Sequence, residues 1–448
     1  MKNIVKSIFM ITALLAGMNA CFASSLTVLI DKSSIDKTST IAVSVKEADT
    51  GKTVYEYNQN KLLHPASTLK IFTVIPALEV LKDDYEFKTG FYVYDNSLYI
   101  KLGADPLLTS ENIKTMVKSL KSEGYKNINS VYFDDSIMDN VEWGVGWMWD
   151  DGINPLMPKF SAYNINGNVA KIEVSKLENG NVVANTDAPM TVVNMVKKGN
   201  ENKLYVARHD WTSPDVVYVS GTLKDKGSID IPVNNTQNYF RKVLFYYLNR
   251  SNVKVLNKTC LYGKVPEDAK KVSEVSHSVN SLTNGVFKGS NNLYAETIAK
   301  IAGGVNDDVT ANLSSQVKLF YDFWDGRKVP TYNIKIADAS GVSRNNLLTT
   351  DFMSNALVNL YNNEGFDKMK EYLAQPGDEG TFANRMLDKR GSVYLKTGTL
   401  ANISGLTGYV VSNSGKTYAV AILIQNFTYP TKEIKDFENS LIENIINK

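Results

Sequence analysis

Between His64 and Lys82 the chain carries the run that most limits what can be built around it, His-Pro-Ala-Ser-Thr-Leu-Lys-Ile-Phe-Thr-Val and on to Leu81-Lys82. Pro65 suits the first turn of a helix, and Ser67 opens a mostly apolar stretch of about four turns. The interior Pro76 predicts a kink or a break. Lys70 follows Ser67 by three residues, so on a helix its amine stands over the same face as the hydroxyl. A serine at a helix start beside an amine is one way to build a nucleophile without histidine. The spacing alone does not single it out, because Ser34/Lys37, Ser251/Lys254 and Ser315/Lys318 share it.

At 448 residues, 43% hydrophobic and 21% charged, the chain has the composition of a folded soluble protein and room for two or three domains. A formal charge of +2 gives no electrostatic reason to expect nucleic acid as a partner. The N-terminus reads as an export signal. Lys2 and Lys6 precede a mostly apolar stretch from Ile8 to Met18, and small residues allow cleavage after Ala23. Residues 1–23 are therefore expected to be removed, placing the mature chain in the periplasm or cell-wall space. The apolar stretch falls short of the about 20 residues a bilayer-spanning helix needs. A lipoprotein signal ending at Cys21 is the rival, but Met18-Asn19-Ala20 is a poor approach to it. Cys260 is then the single mature cysteine, which excludes an internal disulfide. With three histidines (His64, His209, His277), zinc sites and Ser-His-Asp hydrolysis are both disfavoured, and no metal or cofactor is expected.

Residues 26–60 alternate apolar and polar side chains, with strands at Ile41–Val45 and Val54–Tyr57. From Tyr85 the texture changes to short, tyrosine-rich strands. Phe91–Tyr94 and Ser97–Ile100 form a hairpin across Asp95-Asn96. A helix from Ser110 to Glu123 ends at Gly124, and a Trp-, Met- and Gly-rich loop runs from Trp143 to Pro158. Asn234–Arg250 reads as an amphipathic helix. Helical periodicity returns after Ser290, over Asn312–Trp324 and over Thr350–Asn362. Strands follow at Ser392–Lys396, Gly405–Val411 and Thr417–Gln425. A last helix, Lys432–Asn447, aligns Ile434, Phe437, Leu441 and Ile445 for packing on the neighbouring sheet, with peripheral membrane contact as the lesser alternative.

Two further motifs follow the Ser67 run in a fixed order. Ser290-Asn291-Asn292 opens a helix, and Lys396-Thr397-Gly398-Thr399 lies on a strand of the C-terminal antiparallel meander. Neither is specific alone: Ser110/Asn112, Ser278/Asn280 and Ser343/Asn345 repeat the first, and Lys88-Thr89-Gly90 repeats the second. All three in order, each on the right element, is rare. With them come Gly103-Ala-Asp-Pro-Leu-Leu, Trp147-Met-Trp-Asp-Asp, Asp338-Ala-Ser-Gly-Val-Ser-Arg-Asn-Asn and Gly377-Asp-Glu-Gly-Thr, and the extended stretch from Leu395 to Tyr409. On these residues the chain resembles the D-alanyl-D-alanine carboxypeptidase/endopeptidase family, the class C low-molecular-mass penicillin-binding proteins, over nearly all of the mature chain. The resemblance implies an α/β (α+β) penicillin-recognising serine hydrolase of transpeptidase-like fold, an antiparallel sheet between helices. It also implies a large β-rich insertion after the Ser67 helix. The peptidase domain would comprise 24–83 and 236–448, and the insertion 84–235, in two lobes. Pro76 and a few extra residues between Trp149 and Phe160 depart from the family pattern.

By that resemblance, and by chemical need, Ser67 attacks a peptide carbonyl and becomes an acyl-enzyme. Lys70 must then be a neutral amine, although free lysine titrates at about 10.4. Burial and the second cation Lys396 would push it down. Ser290 relays a proton to the leaving amine, and Asn292 holds the substrate backbone and orients Lys70. Lys396, Thr397, Gly398 and Thr399 suit a terminal carboxylate, while the backbone N–H groups of Ser67 and Thr399 form an oxyanion hole. Asp151, Phe160 and Arg344 would face a diamino-acid side chain of the cell-wall stem peptide. Each residue has a bland alternative. Ser67 and Ser290 could cap their helices, the lysines could be solvated charges, Asp151 could cap its loop, and Phe160 could be a core ring. The expected partners are peptidoglycan stem peptides, and β-lactams as covalent inhibitors. The rivals are a β-lactamase or esterase on the same scaffold, and a catalytically dead wall-binding module.

Overall fold

The computed structural model describes residues 25–209 and 213–448, so the expected signal peptide and Cys21 lie outside the described residues. These residues form a mixed α+β fold that clusters into two compact units. One comprises the chain up to Pro76 with Thr283–Ser290 and Val317–Lys448; the other comprises Ala77–Leu282 and Asn291–Gln316.

The first unit is built on a five-stranded antiparallel sheet of β1 (Thr40–Glu47), β2 (Thr53–Tyr57), β3 (Val393–Leu400), β4 (Ile403–Val411) and β5 (Thr417–Gln425), in the order β3-β4-β5-β1-β2. The first strand therefore pairs with the last, Thr40 opposite Gln425 and Glu47 opposite Tyr418. Burial along β1, β4 and β5 is nearly continuous, because helices cover both faces. One face packs on the C-terminal helix Thr431–Ile446, which buries Ile434, Phe437, Leu441 and Ile445 among Leu395, Leu406, Val420 and Ile422. The expected sheet-facing stripe is there. Thr350–Glu364 lies against the sheet as well, where the buried Tyr409 hydroxyl donates to the Leu357 carbonyl (2.7 Å).

The Ser67 run differs from expectation in two ways. Ala66–Leu69 is a 3₁₀ turn, and the α-helix begins only at Lys70 and runs to Leu81. Of the kink or break expected at Pro76, the break does not occur: the helix runs on through it. Proline deprives the carbonyl four residues back, that of Phe72, of its helical donor. The indole N–H of Trp324 donates to that carbonyl instead, at 2.9 Å. Trp324 is fully buried against Phe72 and Phe352, so a side chain from elsewhere in the unit supplies the missing bond.

The second unit holds a five-stranded mixed sheet of Cys260–Tyr262, Val131–Asp134, Ser97–Lys101, Glu86–Tyr94 and Lys270–Ser278, in that order, and two three-stranded sheets. The Asp95-Asn96 hairpin forms as its sequence dictates, with both residues in the left-handed region (φ +44° and +50°) that a type I′ turn demands. The sequence-based division at 84 and 235 is not where compactness divides the chain. Lys270–Ser278 pairs with Glu86–Tyr94, which draws 236–282 into this unit. Among the described residues no helix is long and apolar enough to cross a membrane.

Candidate active site

The Ser67 turn starts from an unusual backbone. Ala66 has φ +47°, a conformation that an L-residue with a Cβ adopts at a cost of about 1–2 kcal/mol. The turn is held from the outside. His64 Nδ1 accepts the Ala66 N–H (3.1 Å), so its Nε2–H donates to the Ser343 carbonyl (2.5 Å), and the His64 N–H donates to Gln425 Oε1. Burial pushes the His64 ring below its ordinary pKa, which keeps it in this neutral, bracketing form. His64 is thus a structural residue of the turn.

Ser67 is half-buried, and Lys70, fully buried, places Nζ 2.9 Å from Ser67 Oγ. Nζ also donates to the Ser340 carbonyl at 2.7 Å. Ser340 belongs to a turn wound on the buried Asp338 carboxylate, which accepts the N–H groups of Gly341 (2.9 Å) and Ser343 (2.6 Å) and Asn346 Nδ2 (2.7 Å). Gly341 sits at φ +83°, and a Cβ there would lie 1.9 Å from the Ala66 carbonyl oxygen. The Asp338 turn and the Ser67 turn are therefore pressed backbone to backbone.

β3 closes on the same place. A Cβ on Gly398 would come within 2.9 Å of the Pro65 carbonyl oxygen and 3.1 Å of Ala66 Cβ. Two residues earlier, Lys396 is fully buried and donates to Ser290 Oγ (2.8 Å) and to the Thr397 carbonyl (3.1 Å). Burial, and next the Lys70 charge, hold the Lys396 amine well below the ordinary lysine value. Ser290 has φ +61° and lies outside the helix Asn292–Asp307, whose cap is Asn291 through the Tyr294 N–H. The capping alternative for Ser290 thus fails, and its hydroxyl meets the Lys396 amine. Thr397 is nearly buried and Thr399 exposed. Thr399 pairs across β4 with Ser404, which donates to the buried Glu438 carboxylate (2.7 Å), as does Arg385 (2.7 Å).

Seven predicted residues, Ser67, Lys70, Ser290 and Lys396–Thr399, thus belong to the first unit, as does Arg344, which is exposed on the Asp338 turn. Asn292, Asp151 and Phe160 belong to the second unit. Asn292 Nδ2 donates to the Leu156 carbonyl (2.8 Å). Asp151 Oδ2 accepts the Met148 N–H (2.9 Å), closing its own turn. Phe160 was expected to face a ligand, but it has no exposed surface. It packs as a core ring on Trp147, with Lys300 Nζ 5.3 Å from its centroid. Two contributors escaped the sequence reading: the Ser340 carbonyl, and Thr381, whose hydroxyl accepts from that of Thr397 at 2.8 Å. The arrangement in the first unit is a hydroxyl within proton-transfer reach of one buried amine and a second hydroxyl bonded to another. It is the equipment of acyl transfer by serine without histidine.

Residues 23–444 match the family described as "D-Ala-D-Ala carboxypeptidase 3 (S13) family". The D-alanyl-D-alanine carboxypeptidase DacB of Haemophilus influenzae is 23% identical over 429 residues, covering 90% of this chain and 89% of that protein. The crystal structure of penicillin-binding protein 4 (dacB) from Haemophilus influenzae superimposes with a TM-score of 0.83 at 22% identity, covering 95% of this chain and 99% of that one. A second structure of that protein, complexed with a β-lactam, gives a TM-score of 0.77 at 21% identity over the same shares.

Proposed function

The chain belongs to the D-Ala-D-Ala carboxypeptidase 3 (S13) family, and from that premise we propose that Ser67 is the nucleophile of a serine DD-peptidase acting on peptidoglycan stem peptides. The observation that carries the reading is the pair of short contacts Lys70–Ser67 (2.9 Å) and Lys396–Ser290 (2.8 Å), formed by residues that the sequence scatters over more than 300 positions. Ser67 Oγ attacks the carbonyl carbon between the two terminal D-alanines while its proton passes to Lys70 Nζ. The backbone N–H groups of Ser67 and Thr399 receive the oxyanion, and losing one such donor typically costs about 3 kcal/mol of barrier. Ser290, with Lys396 behind it, returns a proton to the departing amine. Water then hydrolyses the acyl-enzyme and restores Ser67. Burial and the neighbouring Lys70 charge lower the Lys396 amine, and two buried ammonium charges disfavour one another; on this reading the acylation step uses Lys70 in its neutral form as the base.

Lys396 and Thr397 take the terminal carboxylate, and Asn292 the substrate backbone. Asp151 and Arg344 read the stem peptide's diamino acid, with Phe160 acting only through the Trp147 ring it supports. A β-lactam, itself an acylating amide, would be held on Ser67 by the same groups. The insertion implied by the family is supported by the second compact unit. Export through residues 1–23 belongs to the same reading. The test is incubation of the mature protein with purified muropeptides, with products identified by mass. Release of D-alanine or of cross-linked partners by the wild type, and loss of both products and fluorescent-penicillin labelling in Ser67→Ala, is the expected result. Retained activity in that variant would remove Ser67 from its role.

A further inference from the structure

The loop Gly377–Thr381 takes no part in the acyl transfer itself, yet it is fastened to the groups that do at several points. Asp378 accepts from Arg390 Nη2 (2.8 Å) and from the Gln375 N–H (3.1 Å), and lies 3.4 Å from Lys288 Nζ. Gly380 stands at φ +105°, and a Cβ there would be 2.4 Å from the Lys288 carbonyl oxygen. The Thr381 N–H and hydroxyl both point to that carbonyl (3.3 and 3.5 Å). Lys288 precedes Ser290 by two residues. From the other side the Thr397 hydroxyl donates to Thr381 Oγ1 at 2.8 Å. A closed circuit results: Lys288 carbonyl, Thr381, Thr397, Lys396 Nζ, Ser290, and through Gly289 back to Lys288.

We propose that Thr381 is a positioning and specificity residue for the substrate's terminal carboxylate. In the free enzyme its hydroxyl oxygen takes the Thr397 proton, so the Thr397 hydroxyl is held in one rotamer and spends no time on alternative acceptors. When a carboxylate arrives, the Thr397 proton turns to it. Thr381 then turns its own proton from the Lys288 carbonyl to the Thr397 oxygen. No bond to carbon changes; two hydroxyls rotate in concert, and the carboxylate gains a donor polarised by a second one. Thr381 is the exposed member of the pair and Thr397 the nearly buried one, so the switch lies at the rim where a chain terminus enters. The same contacts hold the Ser290 turn against β3.

The inference rests on the reading of Thr397 as a carboxylate contact, and the experiment separates the two. Thr381→Val keeps the shape and removes the hydroxyl; Thr381→Ser keeps the hydroxyl. KM and kcat are measured on a peptide ending in free D-Ala-D-Ala and on its C-terminal amide. Acylation rates are measured with a penicillin and with its carboxylate methyl ester. Thr381→Val should raise KM for the free acid about tenfold, the scale of one hydrogen bond to a charged group, with kcat changed much less. The amide and the ester should be untouched, and Thr381→Ser should restore the wild-type preference. Equal losses on acid and amide, in a variant that melts like the wild type, would reduce Thr381 to a structural prop. Unchanged preference would overturn the inference outright. A wild type that itself shows no preference for the acid over the amide or ester overturns the carboxylate reading, and with it this inference.

Discussion

Lys396 has no exposed surface, and an amine in that position is a cost to the fold before it is an aid to chemistry. Its folded-state pKa lies well below the ordinary value, while the unfolded chain restores that value. Between the two, the unfolded state binds more protons, so stability rises with pH across that window and falls as pH drops through the folded value. Lys396→Met removes the proton difference. It should raise unfolding free energy near pH 7, flatten its dependence on pH, and abolish D-alanine release. Urea unfolding of both proteins from pH 6 to pH 9 reads this; a variant less stable at pH 7, or with an unchanged slope, would show that the lysine is not strained. The residues of the motif were legible because chemistry fixes both their type and their order. The Ser340 carbonyl was not, since any residue offers a carbonyl. Thr381 stood within a recognised landmark, but a loop threonine looks the same whether it caps a turn or meets a hydroxyl.

An element can be right in kind and wrong in detail for one local reason. The Ser67 run is helical, yet its serine lies in a 3₁₀ turn, because Ala66 enters at φ +47° and His64 holds it there. Pro76 reads as a helix breaker only while its surroundings are invisible. The indole that satisfies the Phe72 carbonyl comes from residue 324, and no local window contains both. This supplies a double-mutant test. Trp324→Phe alone should cost about 1–3 kcal/mol for the orphaned carbonyl, in addition to any loss of packing. In a Pro76→Ala background the alanine N–H can serve that carbonyl, so the same change should cost less. The measurement is chemical unfolding of the four proteins. Additive losses would mean that the indole and the proline do not compensate one another. Where the signals are local the reading holds: Thr417–Gln425 matches the expected bounds, since its period and its Gly415 turn both lie within a few residues of it.

At the scale of the molecule, compactness is a property of pairings that the sequence does not announce. The tyrosine-rich texture from residue 85 falls inside the second compact unit, which begins at Ala77 and takes in residues far beyond that texture. Strand Lys270–Ser278 resembles any exposed strand until it is found against Glu86–Tyr94, and helix Thr236–Arg250 packs on Ser110–Ser122. The chain passes between the units at 76/77, 282/283, 290/291 and 316/317, and the helices Lys70–Leu81, Asn280–Phe287 and Leu313–Gly326 run through three of these points. Excising 84–235 and closing the gap with a short linker would therefore leave Lys270–Ser278 as an unpaired edge. It would also leave Tyr239, Phe240, Leu244 and Leu248 without the surface they bury against. Such a protein should aggregate, or unfold without a cooperative transition, and fail to take up penicillin. A soluble, penicillin-labelled product would show that the first unit, with 236–282 attached, folds alone. The intact chain should melt in one transition, which calorimetry would register as equal calorimetric and van't Hoff enthalpies. Two resolved transitions would mean that the helices crossing from unit to unit do not couple them.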